Sequence, residues 1–115
     1  MARVAKSYQE IGVRGYVMCH LSHSYHCGAC LYFTFAFRPS DESRSLQEYD
    51  IVKTAIKQGC IDFGGTLSHH HSVGREHAFW LSEDISPAGV AMIRSLIDGM
   101  DSGHNFNPGK IVCDE

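Results

Sequence analysis

No long hydrophobic run occurs in the 115-residue sequence; the longest, Ala29 to Phe37, is broken by Thr34 and is far below the roughly 20 apolar residues of a membrane-spanning helix. A strong charge of either sign is also missing. The net charge of -3 lacks the basic footprint of nucleic-acid binding, so no nucleic-acid partner is expected. Ala2-Arg3-Val4-Ala5-Lys6 is not followed by an apolar segment, which argues against a secretory signal. The sequence holds no P-loop, nucleophile elbow or G-x-G-x-x-G fingerprint, so nucleotide binding by a motif of its own is unsupported. There is no internal repeat, low-complexity tract or interdomain linker. What remains, 43% hydrophobic and 20% charged residues, is the composition of one small globular domain over residues 1–115.

The five cysteines, Cys19, Cys27, Cys30, Cys60 and Cys113, form an odd set with no secretory signal. That favours reduced thiols and a cytoplasmic location over a disulfide framework. Cys27-Gly28-Ala29-Cys30 has C-x-x-C spacing and follows His20, His23 and His26, which admits a zinc reading. No second pair at finger or ribbon spacing supports it. A thioredoxin-like role is weaker, because that motif opens a helix, whereas Leu31 to Phe37 reads as a strand.

Hydrophobic patterning predicts an α+β fold with helices on one face of a mostly antiparallel sheet. Val13, Gly15, Val17 and Cys19 alternate with Arg14, Tyr16, Met18 and His20 over Val13 to His20, the period of a strand. Ala29 to Phe37 forms a second strand, with Leu31, Phe33, Phe35 and Phe37 on one face. Leu21 to Gly28 is expected as a polar connection between them. Leu46, Tyr49, Val52, Ala55 and Ile56 draw an apolar helical stripe, stopped at Gly59. Cys60 to Leu67 is expected as a short buried strand. A last helix opens at Ser86-Pro87, a serine N-cap before a first-turn proline, carries Val90, Ile93, Leu96, Ile97 and Met100, and ends at Asp101-Ser102-Gly103.

Against this ordinary background stands Gly64-Gly65-Thr66-Leu67-Ser68-His69-His70-His71-Ser72-Val73-Gly74-Arg75. Imidazole, with an unperturbed pKa of about 6.5, moves between proton donor and acceptor near neutral pH, so three in a row point to proton chemistry or a metal. An internal run embedded in glycine-rich sequence is not an expression tag. In extended chain His69 and His71 would face one side and His70 the other. Gly64, Gly65 and Gly74 would let backbone approach a ligand closely. The competing reading is a glycine-rich turn with solvated imidazoles. Tyr25, flanked by Ser24 and His26, is a second candidate: a phenol donates a hydrogen bond readily but needs help to act as a base. Its bland alternative is an aromatic lid on the sheet edge.

Ser24-Tyr25, Gly28-Ala29-Cys30-Leu31-Tyr32-Phe33, the triple-histidine block, Trp80-Leu81 and Asn107-Pro108-Gly109-Lys110 resemble, in this order, the C-terminal part of FAD-linked oxidases of the alkyldihydroxyacetonephosphate synthase-like branch. These are flavoenzymes of the vanillyl-alcohol-oxidase type. The histidine block is specific to that branch, while related glycolate oxidase and D-lactate dehydrogenase-like enzymes usually carry Glu-His-Gly there. The resemblance implies a ferredoxin-like cap segment over an FAD held mainly by a separate domain or subunit that this chain lacks. It also implies a small-molecule or lipid-like substrate, and either oxidation or the ether-lipid reaction in which a fatty alcohol replaces an acyl group on dihydroxyacetone phosphate. It places catalytic roles on Tyr25, His69, His70 and His71, and cofactor contacts on Ser68, Gly74, Asn107 and Lys110. The chain is then a fragment, inactive alone.

Two positions depart from that pattern. Ser72 stands where glycine usually follows the third histidine, and Cys27 where an acidic residue is common. If the Ser72 turn requires positive φ, its Cβ strains the loop. Two other readings compete: a metal-binding module built from His69, His71 and the Cys27/Cys30 pair, and a dimerisation domain pairing through an exposed sheet, a homodimer.

Overall fold

Val4, Tyr8 and Ile11 recur at helical spacing, and the first helix, α1 (Ala2–Glu10), buries Val4, Ser7 and Tyr8 on one side. Val13 N–H donates to the Tyr8 carbonyl at 3.0 Å and Gly12 N–H to that of Gln9 at 3.2 Å, a Schellman closure with Gly12 at φ +70 that ends the helix and aims the chain into a strand. No helix was expected here, because the stripe spans barely two turns and a single Gly marks its end.

This is a computed structural model describing residues 1–112. The chain divides into two compact units, Met1–Gly59 and Cys60–Glu115. In the first, β1 (Arg14–Tyr25) and β2 (Gly28–Arg38) form an antiparallel two-stranded sheet. Val13, Val17, Phe35 and Phe37 pack on one of its faces against Val4, Tyr8, Val52 and Ile56, so helices do cover one face of an antiparallel sheet. Gly15 lies where the Tyr8 ring crosses the strand, and a Cβ there would come within 2.8 Å of Tyr8 Cζ and 2.7 Å of the Ala36 carbonyl oxygen. The Tyr8 hydroxyl continues over it and donates to the Tyr16 carbonyl at 3.0 Å, which satisfies the polar end of a buried ring.

The expected polar connection Leu21 to Gly28 is instead mostly strand. β1 continues to Tyr25, which pairs with Gly28, leaving His26 and Cys27 as the turn. Cross-strand pairing extends the ladder because both strands are long enough to satisfy each other's backbone, and polar side chains do not prevent this on an exposed sheet face.

The helix after Asp41 is α2 (Ser45–Asp62), entered through a single helical turn at Glu42–Arg44 in which the Ser43 amide donates to Asp41 Oδ1 at 2.8 Å. Its buried line is shifted from the expected one. Val52 is fully buried and Tyr49 stacks on Phe35 at 5.7 Å, but Leu46 is 78% exposed and Glu48 is fully buried. Glu48 can be buried because its carboxylate accepts from the Ser40 amide at 3.0 Å and from the Ser40 hydroxyl. A buried charge requires such partners.

In the second unit α2 does not stop at Gly59; it runs to Asp62. Gly65 N–H donates to the Cys60 carbonyl at 2.8 Å and Gly64 N–H to that of Ile61 at 2.9 Å, with Gly64 at φ +73. The Gly64-Gly65 pair is thus the helix cap, and the expected strand Cys60 to Leu67 is replaced by a helix end and a loop. A lone glycine costs a helix only about 1 kcal/mol, too little to end α2 at Gly59 when a Schellman closure lies one turn later. After the loop come α3 (Gly74–His77), a tight turn over Ala78–Trp80, and α4 (Leu81–Met100). Within α4 Ser86 leaves helical geometry at φ 74, ψ 157 before Pro87, and its hydroxyl accepts from the Gly89 amide at 3.3 Å. The serine cap and proline start therefore stand, preceded by an extra helical segment from Leu81. Val90, Ile93 and Ile97 are half-buried, whereas Leu96 and Met100 are 63% and 87% exposed.

Candidate functional site

Strict alternation along β1 would put Tyr25 on the same face as Val17. The pairing of Leu21 with Leu31 but His23 with Cys30 inserts Ser22 as a β-bulge, which shifts the later residues onto the other face. His23 and Tyr25 thereby join His20 and Tyr32 on the face opposite the core, with His20 stacked on Tyr32 at 5.5 Å and His23 on Tyr25 at 6.3 Å. Re-aiming a side chain is what bulges do beside functional sites. Tyr25 is 49% exposed and lines a shallow concavity at the hairpin tip with Ser24, His26 and Cys27. The sequence hides this face because no composition signal marks the bulge.

The histidine run is held at both ends. On its N-terminal side the Thr66 hydroxyl donates to Asp84 Oδ2 at 3.0 Å and the Leu67 amide to the same oxygen at 3.5 Å, tying the loop to the first turn of α4. Asp84 carried no signal in the sequence beyond its place in that turn. Downstream, Ser72 sits at φ 66, which meets the condition under which its Cβ strains the loop. The Gly74 carbonyl then accepts from the Ile111 amide at 3.2 Å. This bond joins the loop to the Asn107-Pro108-Gly109-Lys110 segment, itself closed by the Lys110 amide on the Asn107 carbonyl at 3.1 Å, with Gly109 at φ 64. That geometry suits Pro then Gly at the two central positions of a turn. Upstream of it, the Asp101 carboxylate accepts from the Phe106 amide at 2.7 Å and the Asn105 side chain at 3.3 Å, and these bonds hold its pKa below the usual carboxylate value.

Between these anchors the chain bends through His69, His70 and His71, so the expected alternation of imidazoles to opposite sides is replaced by clustering. Nδ1 of His69 and Nδ1 of His70 are 2.9 Å apart, and the His70 and His71 rings meet edge to face with centroids 4.2 Å apart. Extended backbone was a poor expectation for a loop already committed at one end to a helix cap. All three rings are exposed, while the neighbouring Ser68 hydroxyl oxygen is buried with no hydrogen-bond partner. Of the residues singled out in the sequence, Tyr25 belongs to the first unit; Ser68, His69, His70, His71, Gly74, Asn107 and Lys110 belong to the second.

Cys19, Cys27, Cys30 and Cys60 are free thiols, and burial pushes the Cys60 thiol up; Cys113 lies outside the described residues. Among the described residues no group of three or more His, Cys, Asp or Glu side chains is placed to hold a metal ion, so the metal-binding alternative finds no ligand set there. No helix among them is long and apolar enough to cross a membrane.

Residues 2–111 match the family model of FAD linked oxidases, C-terminal domain. The chain belongs to this FAD-linked oxidase C-terminal domain family. It is 33% identical over 107 residues to an alkyldihydroxyacetonephosphate synthase of Dictyostelium discoideum, covering 93% of this chain and 17% of that protein. A synthase of the same description from Trypanosoma brucei brucei is 33% identical over 113 residues, covering 95% and 18%. An uncharacterised FAD-linked oxidoreductase, YgcU, of Escherichia coli K12 is 27% identical over 95 residues, covering 80% and 19%. The chain thus spans less than a fifth of the length of these relatives.

Proposed function

We propose that this FAD-linked oxidase C-terminal domain serves as the substrate-side cap of an alkyldihydroxyacetonephosphate synthase-like flavoenzyme, whose flavin is held mainly by another part of the assembly. The observation that carries this reading is the family match across residues 2–111 together with 33% identity to proteins named as that synthase. The donor set suits the rim of such a cofactor rather than its whole binding site. Ser68 offers a buried hydroxyl with no partner, an arrangement costly unless a ligand or water completes it. Gly74 offers only backbone groups and its carbonyl already accepts from Ile111, so the side chains of Ser68, Asn107 and Lys110 are the better-suited contacts. When bound, the flavin would supply an electron-accepting ring system beside the substrate.

The chain's own residues do the proton work. The Tyr25 hydroxyl, on the exposed face of the hairpin, exchanges a proton with the substrate carbon, and the His69, His70 and His71 rings receive or return protons at substrate oxygens. Their exposure within the chain fits a surface completed by a partner domain. In isolation the chain is inactive.

The test is a chimaera in which residues 2–111 replace the matching segment of the Dictyostelium synthase. It is expected to retain flavin and activity, and Tyr25→Phe or His71→Ala within it to lower kcat by roughly 10²- to 10⁴-fold with flavin content unchanged. A flavin-loaded, active chimaera indifferent to both substitutions would remove the assignment. Equimolar FAD carried by the 115-residue chain through gel filtration would instead overturn the placement of the flavin elsewhere.

A further inference from the structure

The close approach of Nδ1 of His69 to Nδ1 of His70, 2.9 Å, has a chemical consequence. Two lone pairs repel at that distance, and so do two N–H groups. One nitrogen must carry the hydrogen and the other accept it. In a neutral imidazole the two ring nitrogens have opposite roles. Fixing Nδ1 in each ring therefore fixes Nε2 as well: the ring donating through Nδ1 has a lone pair at Nε2, and the ring accepting at Nδ1 has an Nε2–H. His70 is also gripped between its neighbours, edge to face with His69 at 5.1 Å and 77° and with His71 at 4.2 Å and 83°, which restrains it from rotating out of the bond.

We infer that His69 and His70 act as one proton-sharing unit, with a single hydrogen between their Nδ1 atoms and Nε2 atoms of opposite kind, one donor and one acceptor. The role of this unit in catalysis rests on the function proposed above; the pairing itself is a property of the chain. The neutral unit takes up one proton, at the acceptor Nε2, and then presents two N–H donors. A second proton would have to break the Nδ1–Nδ1 bond. A substrate hydroxyl that gives its proton to the acceptor Nε2 keeps the bonding electron pair on its oxygen, and the unit gains one positive charge; no electrons are transferred. Such a unit suits a substrate offering a hydroxyl hydrogen to one ring and an acceptor oxygen to the other.

The test uses the ¹⁵N-labelled 115-residue chain, without flavin or substrate, at a pH where its imidazoles are neutral. Long-range ¹H–¹⁵N spectra report which nitrogen of each ring carries hydrogen. The expected result is one ring of the pair in the Nδ1–H form and the other in the Nε2–H form. Replacing the accepting ring by alanine, His69→Ala or His70→Ala, removes the acceptor and should return its partner to the commoner Nε2–H form. Both wild-type rings in the Nε2–H form, or a donor ring unmoved by loss of its partner, overturns the inference. Because no flavin enters the measurement, a failed chimaera with the expected tautomers removes only the function, and a working chimaera without them removes only the pair.

Discussion

The Ile111 amide donates to the Gly74 carbonyl at 3.2 Å, fastening the chain after the Asn107–Lys110 turn to the loop that follows the three histidines. Ending the chain at Lys110 removes this donor along with the buried Val112. A lost hydrogen bond of roughly 0.5–1.5 kcal/mol corresponds to a two- to tenfold increase in local opening. Amide exchange at Arg75, Glu76 and His77 should rise by at least that much, and unchanged exchange would mean the bond does not hold the loop.

Ser72 at φ 66 occupies the left-handed region, which costs an L side chain roughly 1–2 kcal/mol. Ser72→Gly removes that cost but adds roughly 0.4–1 kcal/mol of unfolded-chain entropy. The net expectation is a gain of about 0.5–1 kcal/mol in denaturant unfolding. Ser72→Ala keeps the Cβ and should stay within about 0.5 kcal/mol of wild type. A destabilised glycine variant would show that the serine hydroxyl contributes more than its backbone costs.

At Gly15 the expected sign is reversed. A methyl group there meets Phe37 Cβ at 2.8 Å, Tyr8 Cζ at 2.8 Å and the Ala36 carbonyl oxygen at 2.7 Å, and all three are held by the core or the ladder. Gly15→Ala should therefore destabilise by about 1–3 kcal/mol, the range for overpacking. Adding Tyr8→Ala, which empties the space over the strand, should make the two losses less than additive.

Period-2 and period-3.6 patterns gave both strands, α2 and the second part of α4, because each of those segments buries one face in its own unit. What they missed was decided by backbone closure. Gly12 and Gly64 end helices through paired amide-to-carbonyl bonds, and glycine alone does not announce this, since Gly59 is tolerated inside α2. Ser22 resembles any strand serine, yet its bulge decides which face Tyr25 shares. The candidate residues themselves were legible as unusual chemistry. Their arrangement was not, since His69 and His70 meet through a loop bend set by Asp84 on one side and Ile111 on the other.

Glu48 gives the fold an acid-sensitive point. Its pKa is held below the ordinary carboxylate value, first by the Ser40 hydroxyl, then by the Ser40 amide, with Arg44 at 3.9 Å adding to them against the opposing effect of burial. A group with a depressed folded pKa stabilises fully above its unfolded value, about 4.3 for glutamate. That contribution disappears as pH falls through the folded value. Asp101, lowered by its backbone bonds to Phe106 and Asn105, acts in the same direction from a slightly lower starting point. Urea midpoints should therefore hold from neutral pH to about pH 5, near the upper edge of the glutamate range, and decline below it. Glu48→Gln retains an acceptor for the Ser40 amide but has no charge to lose, so its midpoint should start lower at neutral pH and fall less in acid. An equally steep acid decline in Glu48→Gln would assign the sensitivity to Asp41, lowered by its bonds to Ser43, or to Asp101, and Asp41→Asn and Asp101→Asn would separate the two.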